Sequence, residues 1–325
     1  MPLRFTLRQL EYFVAVGEAG SIAVAADRVN VSSPSISAAI GLLEAEFGQQ
    51  LFIRRHAQGL SLTGPGREFL DQAKRVLFEA DRFTLLANGI SGDVRGPLRL
   101  GCLLTFAQMI VPPLRRAFEQ LYPDVRVSQS ELNQQQIFDL IRGGELDIAL
   151  TYDLEIATDL QFVPLAKLAP YAMFPVTHPL ADRAEVSVEE LKDHPMVLLD
   201  LPLSSAYFLS FFKAAGVRPR IAERTRDIAV MRGLVGNGFG YGIANIRPLH
   251  ETSPDGKPLR FVPLTGRVRP MVMGLVMAEG AGSVLTVKAF IDHCRQMITD
   301  ENVPGIQMGQ RATAGGAPRQ REGER

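Results

Sequence analysis

The sequence is poor in several residues that mark particular classes of protein. It has no tryptophan, two cysteines and five histidines among 325 residues. Cys102 and Cys294 lie far apart and lack the spacing of a disulfide framework or a metal site, so we interpret them as small buried hydrophobic residues instead of redox sensors. The histidines are scattered, and no Gly-x-Ser-x-Gly motif or metal-spaced cluster accompanies them. We therefore predict no metal site, no cofactor and no catalytic residues.

Long hydrophobic runs and an excess of one charge are also missing. No apolar stretch has membrane-spanning length, and the first residues, MPLRFTLRQLEYF, enter an amphipathic pattern without the apolar centre of a signal peptide. We therefore expect a cytoplasmic protein that does not contact a membrane. The 35 basic residues balance 35 acidic ones, and residues 1–67 contain six arginines against five acidic residues. Contact with nucleic acid would therefore depend on local clusters of charge.

The stretch from Ser21 to Gly66 gives the strongest local pattern. Ser21 is placed to cap a short alanine-rich helix. A cluster of Asn and Ser then precedes Pro34, a residue that the first turn of a helix tolerates, so a second helix is predicted from about Ser32. Its apolar stripe consists of Ile36, Ile40, Leu43 and Phe47. The opposite face is small and polar, with Ser33, Ser35, Ser37, Ala38 and Gly41, and such a helix suits the floor of a DNA major groove.

A basic hairpin is predicted directly after this helix. Leu51–Ile53 and Leu60–Leu62 are typical of short strands, and the turn between them carries Arg54 and Arg55. Two adjacent arginines beside a recognition helix are placed to bind phosphates, although an arginine pair is also an ordinary feature of a solvated surface. The sequence leaves both interpretations open.

A long helix follows the hairpin. Thr63 and Pro65 mark its start, and an apolar seam continues for more than twenty residues, formed by Phe69, Ala73, Val76, Leu77, Ala80, Phe83 and Ala87. Because little nearby sequence could cover this seam, we expect it to pack on the same helix of a second copy. Packing within the chain is the alternative.

Strand and helix patterns alternate from Leu98 onwards, which predicts a parallel α/β sheet. Pro112 and Pro113 fit badly in the interior of a helix, so a break is predicted near Val111. A second set of alternating elements indicates a second lobe. The chain is expected to cross between the lobes near Pro164 and again near Pro263–Val268, and the two lobes would enclose a cleft.

Residues 7–66 resemble the winged helix-turn-helix of the LysR-type transcriptional regulators. The resemblance is carried by Leu10, Phe13, Ser21, Ala25, Ala26, Val31, Ser32, Pro34, Ser35, Ser37, Ile40, Leu43, Glu44, Gly48, Leu51, Phe52, Arg54, Leu62, Thr63 and Gly66. The chain departs from the family at Ser33, Ala38 and Ile22, where Gln, Arg and Phe are usual or frequent. Loss of the long hydrogen-bond donors shifts the expected specificity towards backbone contacts and DNA shape.

The resemblance continues, less specifically, through GPLRLG at 96–101, ELDIAL at 145–150, HPLA at 178–181 and GNGFGYGIAN at 236–245. It implies an N-terminal all-α winged helix-turn-helix and a C-terminal α/β effector-binding domain with two lobes, shaped like a periplasmic solute-binding protein. The expected domains are a DNA-binding domain (1–66), a linker dimerisation helix and hinge (67–92) and an effector-binding domain (93–302). Within the last, lobe I takes 93–164 and 267–302 and lobe II takes 165–266. A disordered tail (303–325) is expected to follow.

An effector is expected at the carboxyl ends of strands, where loops and helix N-termini face the crevice. The predicted effector-binding residues are Leu103, Leu104, Thr105, Phe106, Tyr152, Leu203, Ser204, Ser205 and Asn245. Thr and Ser at such turns are also ordinary helix caps. No Arg or Lys lies in these segments, so candidates for the effector are a small organic anion, held by hydroxyls and backbone amides, and a mostly apolar or aromatic compound.

The leading hypothesis is a homodimeric or homotetrameric regulator that binds double-stranded operator DNA and responds to a small-molecule effector. RNA polymerase is a further candidate partner. The predicted DNA-binding residues are Ser21, Ser32, Ser33, Pro34, Ser35, Ser37, Ala38, Arg54 and Arg55. The alternatives are a solute-binding receptor and an enzyme that uses the α/β cleft, and the missing catalytic motifs favour a protein that is not an enzyme.

Overall fold

The computed structural model describes residues 4–55, 59–90 and 93–308. Its N-terminal part holds α1 (Leu7–Ala19), α2 (Ile22–Arg28), α3 (Ser33–Phe47), β1 (Phe52–Arg55) and β2 (Gly59–Leu62). A capping box begins α1, because the Thr6 hydroxyl accepts from the Gln9 amide while Gln9 Oε1 accepts from the Thr6 amide. Ser21 and Ser32 cap α2 and α3 through their side chains.

The two faces predicted for α3 are confirmed. Ile36, Ile40 and Leu43 are buried in a small core that α1 and α2 complete, and Phe47 packs at its edge. On the opposite face Ser33 is half-buried, whereas the remaining four residues are exposed, namely Ser35, Ser37, Ala38 and Gly41. The helix therefore presents a thin polar surface to its surroundings.

The long helix α4 (Gly64–Ile90) extends from this domain towards the C-terminal part of the chain. The Thr63 hydroxyl caps it by accepting from the Gly66 amide at 2.9 Å. A side chain at Gly66 would meet the Leu51 carbonyl oxygen at 2.1 Å, so a glycine is required where α4 leaves the hairpin. Part of the predicted seam packs within the chain, because Phe69, Ala73 and Leu77 join the core formed with α1.

The C-terminal part alternates strands and helices over two lobes. Its elements are β3 (Gly96–Leu103), α5 (Leu104–Ala107), α6 (Val111–Leu121), β4 (Val125–Leu132), α7 (Gln134–Arg142), β5 (Ile148–Tyr152), β6 (Leu160–Leu168), β7 (Tyr171–Pro175), β8 (Val186–Ser187), α8 (Val188–Leu191), β9 (Pro195–Leu199), α9 (Ser204–Ala214), β10 (Arg220–Thr225), α10 (Ile228–Gly236), β11 (Gly242–Ala244), β12 (Leu259–Thr265), β13 (Met271–Ala278) and α11 (Leu285–Met297). The break predicted near Val111 is confirmed, since α5 ends at Ala107 and α6 begins at Val111.

Lobe I is built on a five-stranded sheet of order β4-β3-β5-β13-β6. β3 pairs in parallel with β4 and β5, but β13 runs antiparallel to β5 and β6, so the sheet is mixed where the sequence predicted a parallel one. One face packs against α6 and α11, where the Phe118 and Phe290 rings lie 5.0 Å apart. The other face packs against α7.

Lobe II contains the parallel pair β9–β10 and a sheet of order β11-β7-β12-β8. The first crossing between the lobes lies at Leu168–Tyr171, later than the predicted position near Pro164. Pro164 is inside β6, where it faces Gly274 of β13, and β6 still belongs to lobe I. Since β6 is an edge strand, it tolerates a residue that lacks an amide proton. The second crossing joins β12 to β13 through residues 266–270 and overlaps the predicted position, Pro263–Val268, only in part, because residues 263–265 lie inside β12.

The prediction that disorder begins at residue 303 is wrong for residues 303–308. Val303 and Ile306 are buried, Ile306 forms a β-bridge with Pro248, and the Gln307 amide donates to the Arg247 carbonyl at 2.8 Å. These contacts hold the segment that follows α11 against lobe II. The remainder of the expected tail, 309–325, lies outside the described residues.

Both cysteines are buried, as predicted from their isolation in the sequence. Burial, with a smaller contribution from Glu131, raises the pKa of the Cys102 thiol to about 12, and burial also raises the pKa of Cys294. Thiols in this state are protonated and unreactive at neutral pH.

Candidate ligand cleft and nucleic-acid interface

A cavity of about 230 Å³ lies between the two lobes. Six of the predicted effector-binding residues line it: Leu103, Leu104, Thr105, Tyr152, Ser204 and Asn245. They come from the ends of β3 and β5, the start of α9 and the end of β11, so the topology brings four distant segments to one crevice. The remaining predicted residues do not line it, namely Phe106, Leu203 and Ser205. Phe106 is fully buried and packs 4.8 Å from the Tyr152 ring, beneath the cavity wall.

The cavity also uses residues that the sequence did not suggest. One group surrounds the start of α7, including Glu131, Asn133 and Gln134. Another, Arg226 and Ile228, lies where β10 passes into α10. Both follow the carboxyl ends of parallel strands, so the rule that found the other segments also applies here. Arg226 supplies a positive charge that the four predicted segments lack.

Gln134 fixes the wall of the cavity at the end of β5. Its Nε2 donates to the carbonyls of Tyr152 at 2.9 Å and Leu154 at 2.8 Å, and its Oε1 accepts from the Thr151 hydroxyl at 2.8 Å. The side chain is buried, and all three bonds are internal. Gln134 therefore has a structural role, since its hydrogen-bonding groups are already occupied.

Asn245 lies between the cavity and the first crossing. Its Nδ2 donates to the Leu168 carbonyl at 2.8 Å and to the Tyr207 hydroxyl at 3.0 Å. The Tyr207 hydroxyl in turn donates to the Arg269 carbonyl, on the second crossing. Burial raises the pKa of Tyr207 to about 12, so this hydroxyl keeps its proton at neutral pH. Asn245 Oδ1 is buried and has no hydrogen-bond partner among the described residues.

The loop that leads into α9 is strained. Leu203 has a φ of +66°, a left-handed conformation that non-glycine residues seldom adopt. No side chain caps α9 at this end, and Ser204, the first residue of the helix, lines the cavity. Strained backbone of this kind persists where the surrounding structure holds it, and it is common around ligand sites.

The DNA-facing candidates gather at the start of α3. Pro34, Ser35, Ser37 and Ala38 are exposed there, and the Ser32 and Ser35 hydroxyls lie 2.8 Å apart. Because Ser21 and Ser32 both accept backbone amide protons as caps, their hydroxyls are partly occupied. The exposed side chains of Pro34, Ser37 and Ala38 can contact a polar surface.

Glu44 fixes the hairpin relative to α3. Its Oε1 accepts from the amides of Leu51 at 2.8 Å and Phe52 at 3.2 Å, at the entry to β1. β1 and β2 pair in antiparallel register, with Arg55 opposite Gly59. Arg54 and Arg55 belong to β1 and not to the turn where the sequence placed them, because their backbone pairs with Leu60 and Gly59. Their side chains and residues 56–58 lie outside the described residues.

A charged junction connects α1, α4 and lobe I. Lys74 Nζ on α4 lies 3.3 Å from Glu18 Oε1 on α1 and 3.1 Å from Glu145 Oε2 in lobe I. One turn further along α4, Phe78 is buried, and a side chain at Gly144 would meet its ring carbon Cγ at 2.6 Å. The guanidinium of Arg99 lies 4.7 Å from the centre of the Phe78 ring. Lobe I is therefore packed directly against the helix that carries the N-terminal domain.

Metal-binding clusters and membrane-spanning helices are both absent from the part of the chain that the structure describes. There, His, Cys, Asp and Glu form no group of three or more that could hold a metal ion. No helix in the same ranges is long and apolar enough to span a membrane.

These features define a class of protein: a DNA-binding helix-turn-helix joined by a long helix to a two-lobed domain with a ligand cleft. Comparisons with known sequences agree. Residues 7–67 match the family described as bacterial regulatory helix-turn-helix protein, lysR family, and residues 91–299 match the LysR substrate binding domain. The chain belongs to the LysR family of transcriptional regulators, which bind DNA and small-molecule effectors, form oligomers and are not enzymes.

Individual relatives resemble the chain over most of its length. The uncharacterized HTH-type transcriptional regulator YnfL of Escherichia coli is 30% identical over 81% of this chain and 88% of its own. The uncharacterized regulator YvbU of Bacillus subtilis is 26% identical over 91% of this chain and 100% of its own. Among solved structures, HinK, a LysR family regulator from Pseudomonas aeruginosa, is 33% identical, with a TM-score of 0.61 and coverage of 91% of this chain and 99% of that one.

Proposed function

We propose that a small molecule bound in the cavity between the lobes controls how this regulator holds its operator DNA. The observation that carries this proposal is the convergence of six predicted residues from four distant segments on one cavity. The cavity has mainly apolar walls with a few polar groups, as is usual for small-molecule sites. Because the operator DNA of a bacterium lies in the cytoplasm, the protein is proposed to act there.

The junction at Lys74 supports a mechanism for this control. Lobe I is fixed to α4 and α1 through Lys74 and Phe78. A change in the angle between the lobes therefore moves lobe II relative to the unit that these three elements form. In an oligomer, lobe II would then repack against a neighbouring subunit and move the DNA-binding domains. A ligand produces this effect if it binds one arrangement of the lobes better than the other.

The DNA partner is proposed to meet the start of α3 and the wing. The residues assigned to this interface are Ser21, Ser32, Ser33, Pro34, Ser35, Ser37, Ala38, Arg54 and Arg55. The exposed small residues of α3 support its approach to base edges, and the position of β1 beside α3 supports phosphate contacts by the two arginines. RNA polymerase is a proposed partner of the DNA-bound form.

An oligomer is proposed to form through the outer face of α4. Val76 is 42% exposed and Phe83 is 76% exposed, although neighbouring seam residues pack on α1. Two large apolar side chains on one exposed helix support pairing with a second copy, as a homodimer or as the dimeric unit of a homotetramer.

The test is the melting temperature of the full chain against a panel of small metabolites. A compound that binds the folded state raises the melting temperature. We expect at least one compound to do so, and we expect Ser204→Trp, which fills the cavity, to remove the shift. Ser205→Trp is the matched control, because Ser205 belongs to the same turn but does not line the cavity. A shift that survives Ser204→Trp would contradict the proposal.

A further inference from the structure

The cleft carries one unpaired charge on each lobe. Glu131, near the end of β4 in lobe I, accepts a hydrogen bond from Gln129 Nε2 at 2.7 Å and forms no ion pair within the described ranges. Arg226, directly after β10 in lobe II, forms neither an ion pair nor a hydrogen bond within those ranges. Arg224, two residues earlier in β10, differs because it pairs with Asp200 at 3.1 Å.

The lobe II side of the cleft favours an anion. Besides Arg226 it presents the start of α9, an eleven-residue helix without a side-chain cap. The dipole of a helix N-terminus attracts negative charge. At α9 it acts without the first two amides, because those of Ser204 and Ser205 already donate to the carbonyls of Pro202 at 2.8 Å and Leu201 at 3.1 Å. The neighbouring α10 differs, because Asp227 already occupies its N-terminus by accepting from the amides of Ala229 at 2.6 Å and Val230 at 3.1 Å.

A buried acceptor on Asn245, a residue that lines this cavity, favours an N–H donor. The orientation of the Asn245 amide is fixed, because Nδ2 faces the Leu168 carbonyl, which can only accept. Oδ1 is then left without a partner in the described part of the chain, on a side chain that is 6% exposed. A buried acceptor without a partner destabilises the empty state, so a ligand that donates to it gains binding free energy. Glu131 offers a second acceptor, with a full negative charge.

Most of the remaining wall is apolar, with Leu104, Leu132, Leu201, Phe208, Ile246 and Met271 among its residues. The volume of about 230 Å³ is smaller than that of most drug-sized pockets, which favours a small metabolite. We infer that the effector is a small amphoteric compound with a carboxylate or similar anion for Arg226 and α9, a protonated amine for Glu131 and Asn245, and an apolar body between them. This inference rests on the proposed function of the cleft.

The experiment uses four compounds with the same six-carbon skeleton and the full-length protein. Hexanoate carries the anion alone, hexylamine carries the ammonium alone, and 2-aminohexanoate and 6-aminohexanoate carry both charges at short and long separation. Dissociation constants are measured by calorimetry. We expect one of the two-charge compounds to bind roughly tenfold or more tightly than either one-charge compound, since each side then gains a charge-assisted hydrogen bond.

Two variants assign the charges to their residues. Glu131→Gln is expected to remove the advantage of the two-charge compound over hexanoate, and Arg226→Gln is expected to remove its advantage over hexylamine. The matched controls are Glu119→Gln and Arg224→Gln, which remove charges that are paired outside the cavity and are expected to leave both advantages unchanged.

The outcomes separate this inference from the function on which it rests. The inference is overturned if neither two-charge compound binds better than hexanoate and hexylamine. It is also overturned if a two-charge compound binds better and keeps that advantage in both Glu131→Gln and Arg226→Gln. When a one-charge compound binds best and Ser204→Trp abolishes its binding, the cleft is still the ligand site and the amphoteric ligand alone is rejected. When none of the four compounds binds, the inference is overturned, and the melting-temperature panel still decides the proposed function. When binding survives Ser204→Trp, the cleft is not the ligand site and the proposed function fails as well. Asn245 also borders a second cavity of about 300 Å³, whereas Ser204 lines only the first, so the variant also separates these two locations.

Discussion

Single residues of the DNA-binding domain are expected to have separable roles. Ser33 begins α3, whereas Arg54 and Arg55 belong to β1 of the wing. In the proposed interface, the start of α3 meets base edges, and the arginines of the wing meet phosphates, which carry no sequence information. The two sets should therefore differ in their effect on sequence preference and on salt dependence.

We predict that replacing Arg54 and Arg55 with Ala weakens binding to every duplex and lowers the slope of log Kd against log salt by roughly one for each phosphate that the protein no longer neutralises. Ser33→Ala should change the ranking of duplexes and leave the slope unaltered. Fluorescence anisotropy at several salt concentrations measures both quantities. Arg183→Ala, in lobe II, is the control for loss of a positive charge. Equal weakening by both changes with an unaltered slope would contradict this division of roles.

His178 in lobe II links the stability of the fold to pH. Its ring stacks on Phe174 at 4.5 Å, its Nδ1 accepts from the Leu180 amide, and its Nε2 is buried without a partner in the described part of the chain. Burial lowers the pKa of His178 from 6.5 to about 4, and the neighbouring His194 contributes to the same shift. The unfolded chain binds this proton near its ordinary pKa, so the folded state loses stability as the pH falls from about 6.5 towards 4.

We predict that the free energy of unfolding falls by roughly 1–2 kcal/mol through this residue when the pH is lowered from about 7.5 to about 5. His178→Asn keeps an acceptor for the Leu180 amide and does not titrate, so urea unfolding of this variant should show a smaller loss. His250→Asn, at an exposed histidine of the same lobe, serves as the control. The same loss in His178→Asn as in the wild type would show that other groups cause it.

Several site residues could be predicted because each follows a buried strand and precedes a helix, as Thr105 and Ser204 do. Arg226 and Glu131 were missed although the same rule covers them. β10 pairs in parallel with β9, so its carboxyl end lies beside the end of the strand that leads to Ser204. The strand neighbours that establish this are visible in the fold and not in the local sequence.

At the scale of elements, the joint between α1, α4 and lobe I centres on Lys74, whose side chain is 17% exposed. Burial opposes its charge, but Glu145 and Glu18 outweigh that effect and raise the pKa of Lys74 above its ordinary value. The amine therefore stays charged throughout the physiological range. Removing it leaves two carboxylates close to one another without their shared partner.

We predict that Lys74→Met loosens lobe I from α4, with a loss of stability of about 1 kcal/mol and a weaker effect of ligand on DNA binding. Hydrogen exchange of α1 and α4 measures the first effect, and DNA affinity with and without ligand measures the second. Arg142→Gln, which removes a surface pair with Asp159, is the control. If ligand changes DNA affinity in Lys74→Met as strongly as in the wild type, the joint does not transmit the signal.

The outer face of α4 gives a test of assembly. We predict that Phe83→Glu dissociates the oligomer, because a charge replaces an apolar side chain at the centre of the proposed helix pair. Sedimentation velocity measures the change in mass. Leu249→Glu alters another exposed apolar side chain, in lobe II, and should leave the mass unaltered. An unchanged mass for Phe83→Glu would remove α4 from the interface.

Elements with strong end signals could be predicted well. α3 begins after its cap Ser32 and carries Pro34 in its first turn, as predicted. β6 and β12 were not expected, because the crossings between the lobes were predicted near Pro164 and Pro263, and a proline argues against a strand. Both prolines fit at positions where one side of the strand lacks a full partner, and pairing with distant strands decides their conformation.

At the scale of the molecule, the two lobes and the cleft between them follow from the alternation of strands and helices. The segment 303–308, which connects the end of α11 with lobe II, could not be predicted. The sequence around Val303 and Ile306 consists of Pro, Gly and Gln and has no hydrophobic periodicity that would predict their burial. Their burial depends instead on contacts with Pro248 and other distant residues. The lobes are therefore joined at three places instead of the two expected.

The central claim is that occupancy of the cleft changes how the full chain binds a specific DNA sequence. The most direct measurement selects a binding site from random duplexes and then determines Kd for that site with and without the compound that raises the melting temperature. We predict a selected sequence and a change in Kd of roughly fivefold or more that disappears in Ser204→Trp. A Kd that is unchanged by a ligand bound in the cleft would contradict the claim.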